Sequence, residues 1–296
     1  MIQVCRLAKR FGGLTAVDGI DFEIPPGQTF GLLGPNGAGK TTTIHMLVGL
    51  LRPDGGEICI QGDSDPTRPA VRQHMGVAPQ ALSLYEDLTA TENLAFFARL
   101  YGLRGRRLRE RVAIALRRAG LFERRRDRVK TFSGGMKRRL HLACALVHEP
   151  SVLLLDEPTI GVDPQARHHI LADIEALKQE GCTILFTTHY MEEAQRLCDR
   201  VAIMDHGRIL VMDTVPNILA QHGGRAVVRA ELDHPPTDPD SLPGHVEGDS
   251  VIVETDRPFE AVKQLAAAGV SIRNLSLHQP DLETVFLKLT GRRLRD

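Results

Sequence analysis

The sequence predicts an α/β fold, and three observations carry that prediction. Thr29-Phe30-Gly31-Leu32-Leu33 reads as a buried strand, runs into the glycine-rich stretch Gly34-Pro35-Asn36-Gly37-Ala38-Gly39-Lys40-Thr41, and gives way to Ile44, Leu47, Val48 and Leu51 at helical spacing. Two further apolar runs, Val152-Leu153-Leu154-Leu155-Asp156 and Thr183-Ile184-Leu185-Phe186-Thr187, read as strands buried on both faces. Between them lie amphipathic stretches opened by recognisable helix caps at Thr89, Ser133 and Asp163.

Taken in order, residues 1–33 read as β structure. Ile20, Phe22 and Ile24 alternate with polar or small residues, and Pro25-Pro26-Gly27 turns the chain into the strand at 29. Arg52 to Gly56 is a turn and Glu57 to Ile60 a strand. Met75 to Gln80 is a strand ending in an amide. Thr89-Ala90-Thr91-Glu92 is a capping box that opens a helix carrying Leu94, Phe97, Ala98 and Tyr101 on one face. A second helix follows from about Leu108 to Ala119, ended by Gly120. These helices interrupt the β/α alternation, so residues 82–150 are expected to form an inserted helical subdomain. Ser133 starts a helix with Met136, Leu140, Ala143 and Val147 as its buried stripe. Asp163-Pro164 starts another with Ile170, Ile174 and Leu177 inward and Gly181 at its end. Strands at 201–204 and 208–211 flank Asp205-His206-Gly207 as a hairpin. From about Gly223 the composition shifts. Pro235-Pro236-Thr237-Asp238-Pro239 reads as loop or linker, 251–253 and 272–277 as strands, and 259–268 and 280–289 as helices. The expected division is 1–220 and a small α/β module, 221–296.

The bulk properties exclude several classes. With 296 residues and 42% hydrophobic content the chain has enough apolar matter for a packed core. Its 37 basic and 37 acidic residues balance, yet between Arg104 and Arg139 stand fifteen Lys/Arg against Glu110, Glu123 and Asp127. The five cysteines form no Cys-x-x-Cys pair, which fits a reduced cytosolic protein without a cysteine metal site. Met1-Ile2-Gln3-Val4 enters a strand pattern directly, so no signal peptide is expected, and no run reaches the ~18 apolar residues of a spanning helix.

Chemistry concentrates at a few places. Gly34 to Thr41 fits Gly, four residues, then Gly-Lys-Ser/Thr, and it has the required strand before it and helix after it. Glycines let backbone N–H groups turn around a polyphosphate, and the helix adds its positive end. Lys40 would reach the β and γ phosphates and the Thr41 hydroxyl would hold Mg²⁺. A buried strand ending in Asp156-Glu157 matches the second nucleotide motif, with Asp156 serving the metal. Ser133 is open to two readings, a plain N-cap or, with Gly134 and Gly135, a set of N–H groups facing an anion. Phe11 is either a partly buried aromatic in the loop Arg10 to Gly13 or a platform for adenine. Gln80 and His189, each just past a strand, say nothing alone.

Their order says more. A phosphate loop, a strand-end Gln, Ser-Gly-Gly at a helix start, a Leu-rich strand with Asp-Glu, an Asp turn and a strand-end His together resemble the ATP-binding cassette (ABC) ATPase family, over residues 2 to about 218. The resemblance implies a P-loop NTPase core with an antiparallel β subdomain and the inserted helical subdomain, plus the C-terminal module. It puts Walker A on Gly34, Pro35, Asn36, Gly37, Ala38, Gly39, Lys40 and Thr41, with Thr42 beside it. The Q-loop falls on Gln80, the signature on Ser133, Gly134 and Gly135, and Walker B on Leu153 to Asp156. The catalytic glutamate falls on Glu157, the D-loop aspartate on Asp163, the switch histidine on His189 and the adenine-stacking position on Phe11. Phe132 and Met136 depart from the family's usual Leu and Gln. Ser-Gly-Gly-Met-Lys-Arg-Arg-Leu, Thr-His-Tyr-Met-Glu-Glu-Ala and the tail from Leu282 to Asp296 are similar to drug-resistance and nodulation-factor exporter ATPases, with Thr284 where Asp is usual.

The resemblance implies ATP and Mg²⁺ as cofactors, with Thr41, Gln80 and Asp156 toward the metal. It implies a head-to-tail homodimer, a separate polytopic permease and a peripheral place on the cytoplasmic face of the inner membrane. Glu157 would polarise the attacking water, His189 would hold the γ-phosphate, and Gln80 would report ATP to the helical subdomain. Apart from the resemblance, the basic run has two readings, a solvated helix face or a surface toward the permease and the anionic leaflet. The rival reading is a soluble ABC ATPase acting on nucleic acid or ribosomes, which the basic run keeps open; such proteins commonly carry two cassettes, a coiled-coil insertion or zinc cysteines, none of which is present, and no nucleic-acid partner is expected. A P-loop GTPase or kinase is disfavoured by Ser-Gly-Gly, by His189 and by the lack of Asn-Lys-x-Asp.

Overall fold

Alternating apolar residues in the first 60 positions build an antiparallel sheet in the computed structural model, which describes residues 1–236 and 242–291. Strand β1 (Ile2–Phe11) lies between β2 (Leu14–Ile24) and β4 (Gly55–Ile60), and its Ile2, Val4 and Leu7 are buried with Ile20, Phe22, Ile24 and Ile60. Strand β3 (Thr29–Leu33), with all five residues buried, leaves this sheet for a second one. That sheet also contains β5 (Met75–Ala78), β6 (Val152–Asp156), β7 (Thr183–Thr188), β8 (Arg200–Asp205) and β9 (Arg208–Thr214), in the order β5-β6-β7-β3-β8-β9. All pairs are parallel except β8–β9, the expected hairpin turning at His206 and Gly207, both at positive φ. Helix α1 (Lys40–Leu47) follows β3 across the loop 34–39, and Ile44, Met46 and Leu47 join a core shared by both sheets. A short turn, α2 (Pro69–Arg72), precedes β5.

The inserted helices have a core of their own. Helix α3 (Ala90–Leu100) starts at the expected capping box: Glu92 N donates to Thr89 Oγ1 (3.2 Å) and Thr89 N to Glu92 Oε2 (2.8 Å). With α4 (Gly105–Arg118) and α5 (Gly134–Leu146) it buries Leu94, Ala98, Val112, Leu116, Leu140 and Val147 together. Met136 reaches this cluster only in part. Helix α7 (Met191–Leu197) packs on β3 and β7, and α6 (Pro164–Gln179) packs on α5 and α7, Asp163 capping α6 through its Oδ1 and Ala166 N (2.9 Å).

The chain divides into two compact units between Val215 and Pro216, within the short turn α8 (Val215–Ile218). In the second unit β10 (Ala226–Leu232), β11 (His245–Glu247), β12 (Ser250–Thr255) and β13 (Ile272–His278) form an antiparallel sheet ordered β11-β12-β10-β13. Helix α9 (Pro258–Ala267) buries Ala261 and Leu265 with Val228, Ala230, Val251 and Val253. Helix α10 (Leu282–Thr290) buries Leu282, Val285 and Phe286, and packs on the wide helical turn Leu219–Gly223, where Lys288 Nζ donates to Gly223 O (2.7 Å). Strands β10 and β11 are additions to the sequence reading: β10 alternates inward Ala226, Val228, Ala230 and Leu232 with outward Arg229 and Glu231, a pattern weakened by its alanines, and β11 is three residues long. Thr237 to Pro239 of the expected linker, and residues 292–296 of the tail, lie outside the described residues.

Candidate functional site

Parallel strands point their carboxyl ends the same way, so the ends of β3, β5, β6 and β7 gather the polar residues that follow them. The phosphate loop follows β3. Gly34 (φ 153°) and Gly39 (φ 110°) bring the loop against its neighbours: a Cβ on Gly34 would lie 2.1 Å from Met204 O, and one on Gly39 would lie 2.4 Å from Ala16 O. Gly37 (φ 83°) is exposed with open space around it. Its neighbour Asn36 is exposed as well, whereas Ala38 is buried and Pro35, Thr41 and Thr42 are half-buried. Gly39 caps α1 without a side chain, so the first-turn N–H groups are left to a ligand.

Lys40 is buried, and its ammonium donates to Gly34 O (2.7 Å) and Pro35 O (3.1 Å) while pairing with Glu157 Oε1 (3.1 Å). The other oxygen of the same carboxylate, Oε2, lies 2.5 Å from His189 Nδ1. Glu157 is 4% and Asp156 1% exposed. The strand end is held by Thr187 on β7: its hydroxyl donates to Asp156 Oδ1 (2.7 Å) and accepts from Glu157 N (3.0 Å). Glu157 sits at φ 48°, a left-handed conformation that costs of order 1 kcal/mol or more in a non-glycine residue and persists because its surroundings hold it. Its carbonyl accepts from Arg138 Nη2 (3.1 Å), and Arg138 Nη1 reaches Pro79 O (3.2 Å) and Gln80 O (2.9 Å). Burial holds the Arg138 pKa below its ordinary value, opposed by the carboxylates of Asp156 and Glu157.

Of the residues singled out from sequence, buried Lys40, Asp156 and Glu157 and half-buried His189 thus form one cluster, and the Gln80 segment is tied to it through main chain, its side chain being exposed. Ser133, Gly135 and Asp163 meet elsewhere. They line a separate cavity of about 310 Å³ with Met136, Arg139, Gln165, Ala166 and His169, and a Cβ on Gly135 would strike Ala166 Cβ at 2.5 Å. Gly134 has open space beside it, and Ser133 Oγ accepts from Met136 N (3.3 Å). Phe11 corrects one expectation. It is the last residue of β1, paired with Leu14 across Gly12-Gly13, and not a loop residue; its ring is 47% exposed with Lys9 Nζ 5.7 Å from its centre.

Sequence reasoning missed Thr187, Arg138 and Glu193. The buried Glu193 carboxylate accepts from Thr159 and Thr188 hydroxyls (3.0 Å each) and pairs with Arg167 Nε (2.6 Å), so it ties α6 to the end of β7 beside His189. Arg138 was hidden among the fifteen basic residues. That run is less free than its composition suggests: Arg106, Arg111, Arg118, Lys130 and Lys137 pair with Glu110, Glu149, Glu180, Asp87 and Glu86. Arg124 pairs with Asp127 and stands over the Phe132 ring (5.2 Å), its Nη1 3.5 Å from Met136 Sδ, so both departures from the usual signature touch one guanidinium.

The family profile for ABC transporters matches residues 17–160. The chain is 43% identical to the Nod factor export ATP-binding protein I of Paraburkholderia xenovorans, over 100% of this chain and 98% of that one. It belongs to the ABC transporter family of ATP-binding proteins. This ABC ATPase is also 38% identical, over the full length of both chains, to the linearmycin resistance ATP-binding protein LnrL of Bacillus subtilis. Among solved structures it resembles an ATP-binding subunit of an ABC transporter (TM-score 0.69, 33% identity, 75% of this chain and 93% of that one). It also resembles the dimeric bacterial ABC transporter cassette MJ0796 (TM-score 0.67, 25% identity, 72% and 98%). The chain is therefore an ATPase that binds ATP, with the α/β cassette fold expected of it. Among the described residues no helix is long and apolar enough to cross a membrane.

Proposed function

We propose that this ABC ATPase powers an exporter as a head-to-tail homodimer docked, at the cytoplasmic face of the membrane, on a separate polytopic permease. The observation that carries the dimer is the division of the site. The cavity lined by Ser133, Gly135 and Asp163 includes no residue of the phosphate loop, so ATP on Lys40 of one copy would take its signature serine from the other. That the similar cassette MJ0796 is dimeric supports the pairing of two copies. Lys40 and the loop N–H groups hold the β and γ phosphates. Glu157 polarises the attacking water as general base, and His189, already on its carboxylate, orients it. Phe11 offers its exposed face to adenine. Mg²⁺ suits the donors present: the Thr41 hydroxyl, the Asp156 carboxylate and the Gln80 amide are hard oxygen ligands that leave room for phosphate oxygens and water. When bound, the metal neutralises phosphate charge; Thr187 keeps Asp156 oriented toward it. The unit from Pro216 is read as an accessory, regulatory domain.

The two full-length relatives are named for different cargoes, Nod factor and linearmycin resistance. A drug, lipid or oligosaccharide-type cargo fits this pattern, with selection made in the permease. Affinity purification of the full chain from membranes should recover a multi-span partner, and ATP should shift the purified chain from monomer to dimer on size-exclusion chromatography. Recovery only from the soluble fraction, or with ribosomes or nucleic acid, would overturn the exporter reading. Reversing exposed Arg104, Arg109 and Arg126 to Glu tests whether the basic run aids docking, since each nearby cation adds about 1 kcal/mol at an anionic leaflet. Arg124 is unsuitable for that test because it supports Phe132 and Met136 at the signature.

A further inference from the structure

Arg138 lies within a run of largely exposed arginines, yet only 5% of it is exposed. Three main-chain carbonyls accept from its guanidinium: Pro79 and Gln80 through Nη1, Glu157 through Nη2. Pro79 and Gln80 follow β5, and Glu157 follows β6, the adjacent parallel strand. Arg138 itself stands on the second turn of α5, the helix that Ser133 caps. One planar group therefore joins the signature helix to the segment carrying Gln80 and to the main chain of Glu157.

The Glu157 peptide needs such a hold. Its left-handed backbone is fixed from the N–H side by Thr187, whose carbonyl (3.2 Å) and hydroxyl (3.0 Å) both accept from it. It is fixed from the C=O side by Arg138. Thr187 belongs to the sheet, whereas Arg138 belongs to the helical subdomain, which has its own core. A shift of α5 is thus transmitted to Glu157 through one of its two clamps while the other stays put. A planar fork with several N–H groups suits three carbonyls; an ammonium presents one point.

We propose that Arg138 is a positioning residue for ATP hydrolysis, setting the main-chain orientation of Glu157 and of the Gln80 segment according to the position of the signature helix. The proposal rests on the reading of Glu157 as general base. It makes the signature helix a sensor within its own chain as well as a donor to the other copy's nucleotide: the base is aligned only when α5 is in place.

The test is a double-mutant cycle on the full chain, with single-turnover hydrolysis and fluorescent ATP-analogue binding measured separately. Arg138→Met should lower the hydrolysis rate about 10²-fold, the usual consequence of an ångström of misplacement, and leave nucleotide affinity within about threefold. Arg138→Lys, which keeps the charge and loses the fork, should also be slow, and it carries the test if the Met variant does not fold. In a Glu157→Gln background Arg138→Met should cost less than about threefold more, because aligning a group that is no longer a base brings nothing. A further 10²-fold loss in that background would make Arg138 an independent or general structural residue and overturn the proposal. So would parent rates in the Lys variant, or parallel losses of affinity and rate. Parent rates in Glu157→Gln alone would remove the base assignment and this proposal with it, by a result distinct from the others.

Discussion

Glu157→Gln separates chemistry from binding. In the parent, the Lys40 ammonium has three partners, Gly34 O, Pro35 O and Glu157 Oε1, at 2.7, 3.1 and 3.1 Å. Two unit charges about 3.1 Å apart attract by roughly 5 kcal/mol at an effective dielectric of about 20. The glutamine keeps the shape and an acceptor oxygen for Lys40, and burying one charge fewer offsets much of that attraction. A net stability change of about 3 kcal/mol is therefore an upper bound, equivalent to a melting shift on the order of 6–12 °C. The catalytic effect is larger in relative terms. Loss of a positioned base slows hydrolysis about 10²–10⁴-fold, or roughly 3–5 kcal/mol of barrier. ATP binding survives, since the phosphate loop is untouched, and one negative charge fewer near the γ-phosphate favours the closed dimer. Lys40→Ala should do the opposite: it removes the phosphate-binding cation and leaves the Glu157 carboxylate, 4% exposed, with His189 as its partner. It should lose ATP affinity and melt lower than the glutamine variant. Phosphate release, ATP-analogue fluorescence, size-exclusion chromatography with ATP and thermal melting read these differences. Hydrolysis at the parent rate in Glu157→Gln would refute the assignment of the base.

Three further outcomes are expected. Burial and the Arg138 charge push His141 down to about 4, and burial does the same to His148, so both fold as neutral rings. The unfolded chain then binds more protons between pH about 6.5 and 4, so stability should be full above that window and fall through it, by up to roughly 3 kcal/mol per histidine; urea midpoints against pH measure this, and a flat profile would contradict it. Truncation before Asp281 removes α10 and uncovers the turn Leu219–Gly223, so the second unit should lose protection in hydrogen exchange while ATP binding remains; loss of ATP binding would break the two-unit reading. Phe11→Ala should weaken ATP binding by about 1–3 kcal/mol of stacking and leave saturated turnover unchanged, with Phe11→Tyr restoring it; unaltered affinity in the Ala variant would remove Phe11 from the site.

Sequence period and spacing made the strand–loop–helix unit, the buried strands and the caps at Thr89, Ser133 and Asp163 readable, because each rests on interactions within a few residues. The site proved harder. Asp156 and Glu157 could be assigned from their place after an apolar strand. Thr187, which holds both, is thirty residues away and looks like any strand threonine. Arg138 reads as one more positive charge until β5, β6 and α5 meet. Glu193 likewise draws its partners from Thr159, Arg167 and Thr188, which tertiary packing alone brings together. In the second unit, Arg229 and Glu231 take the outward positions of a regular strand alternation, but two of the four inward residues, Ala226 and Ala230, are weak strand formers, so the pattern is faint.

The phosphate loop's glycines answer to different masters. At Gly34 and Gly39 a methyl group would strike the carbonyls of Met204 and Ala16, so those two positions are constrained by the packing of β8 and β2 whether or not a nucleotide ever binds. Gly37 has free space and is restricted by its backbone angle alone. A descendant that had lost ATP hydrolysis would therefore be free to change Lys40 or Glu157 long before it could change Gly34 or Gly39. In such a lineage the glycines would survive as a fossil of the fold, and activity would have to be judged from the lysine and the glutamate.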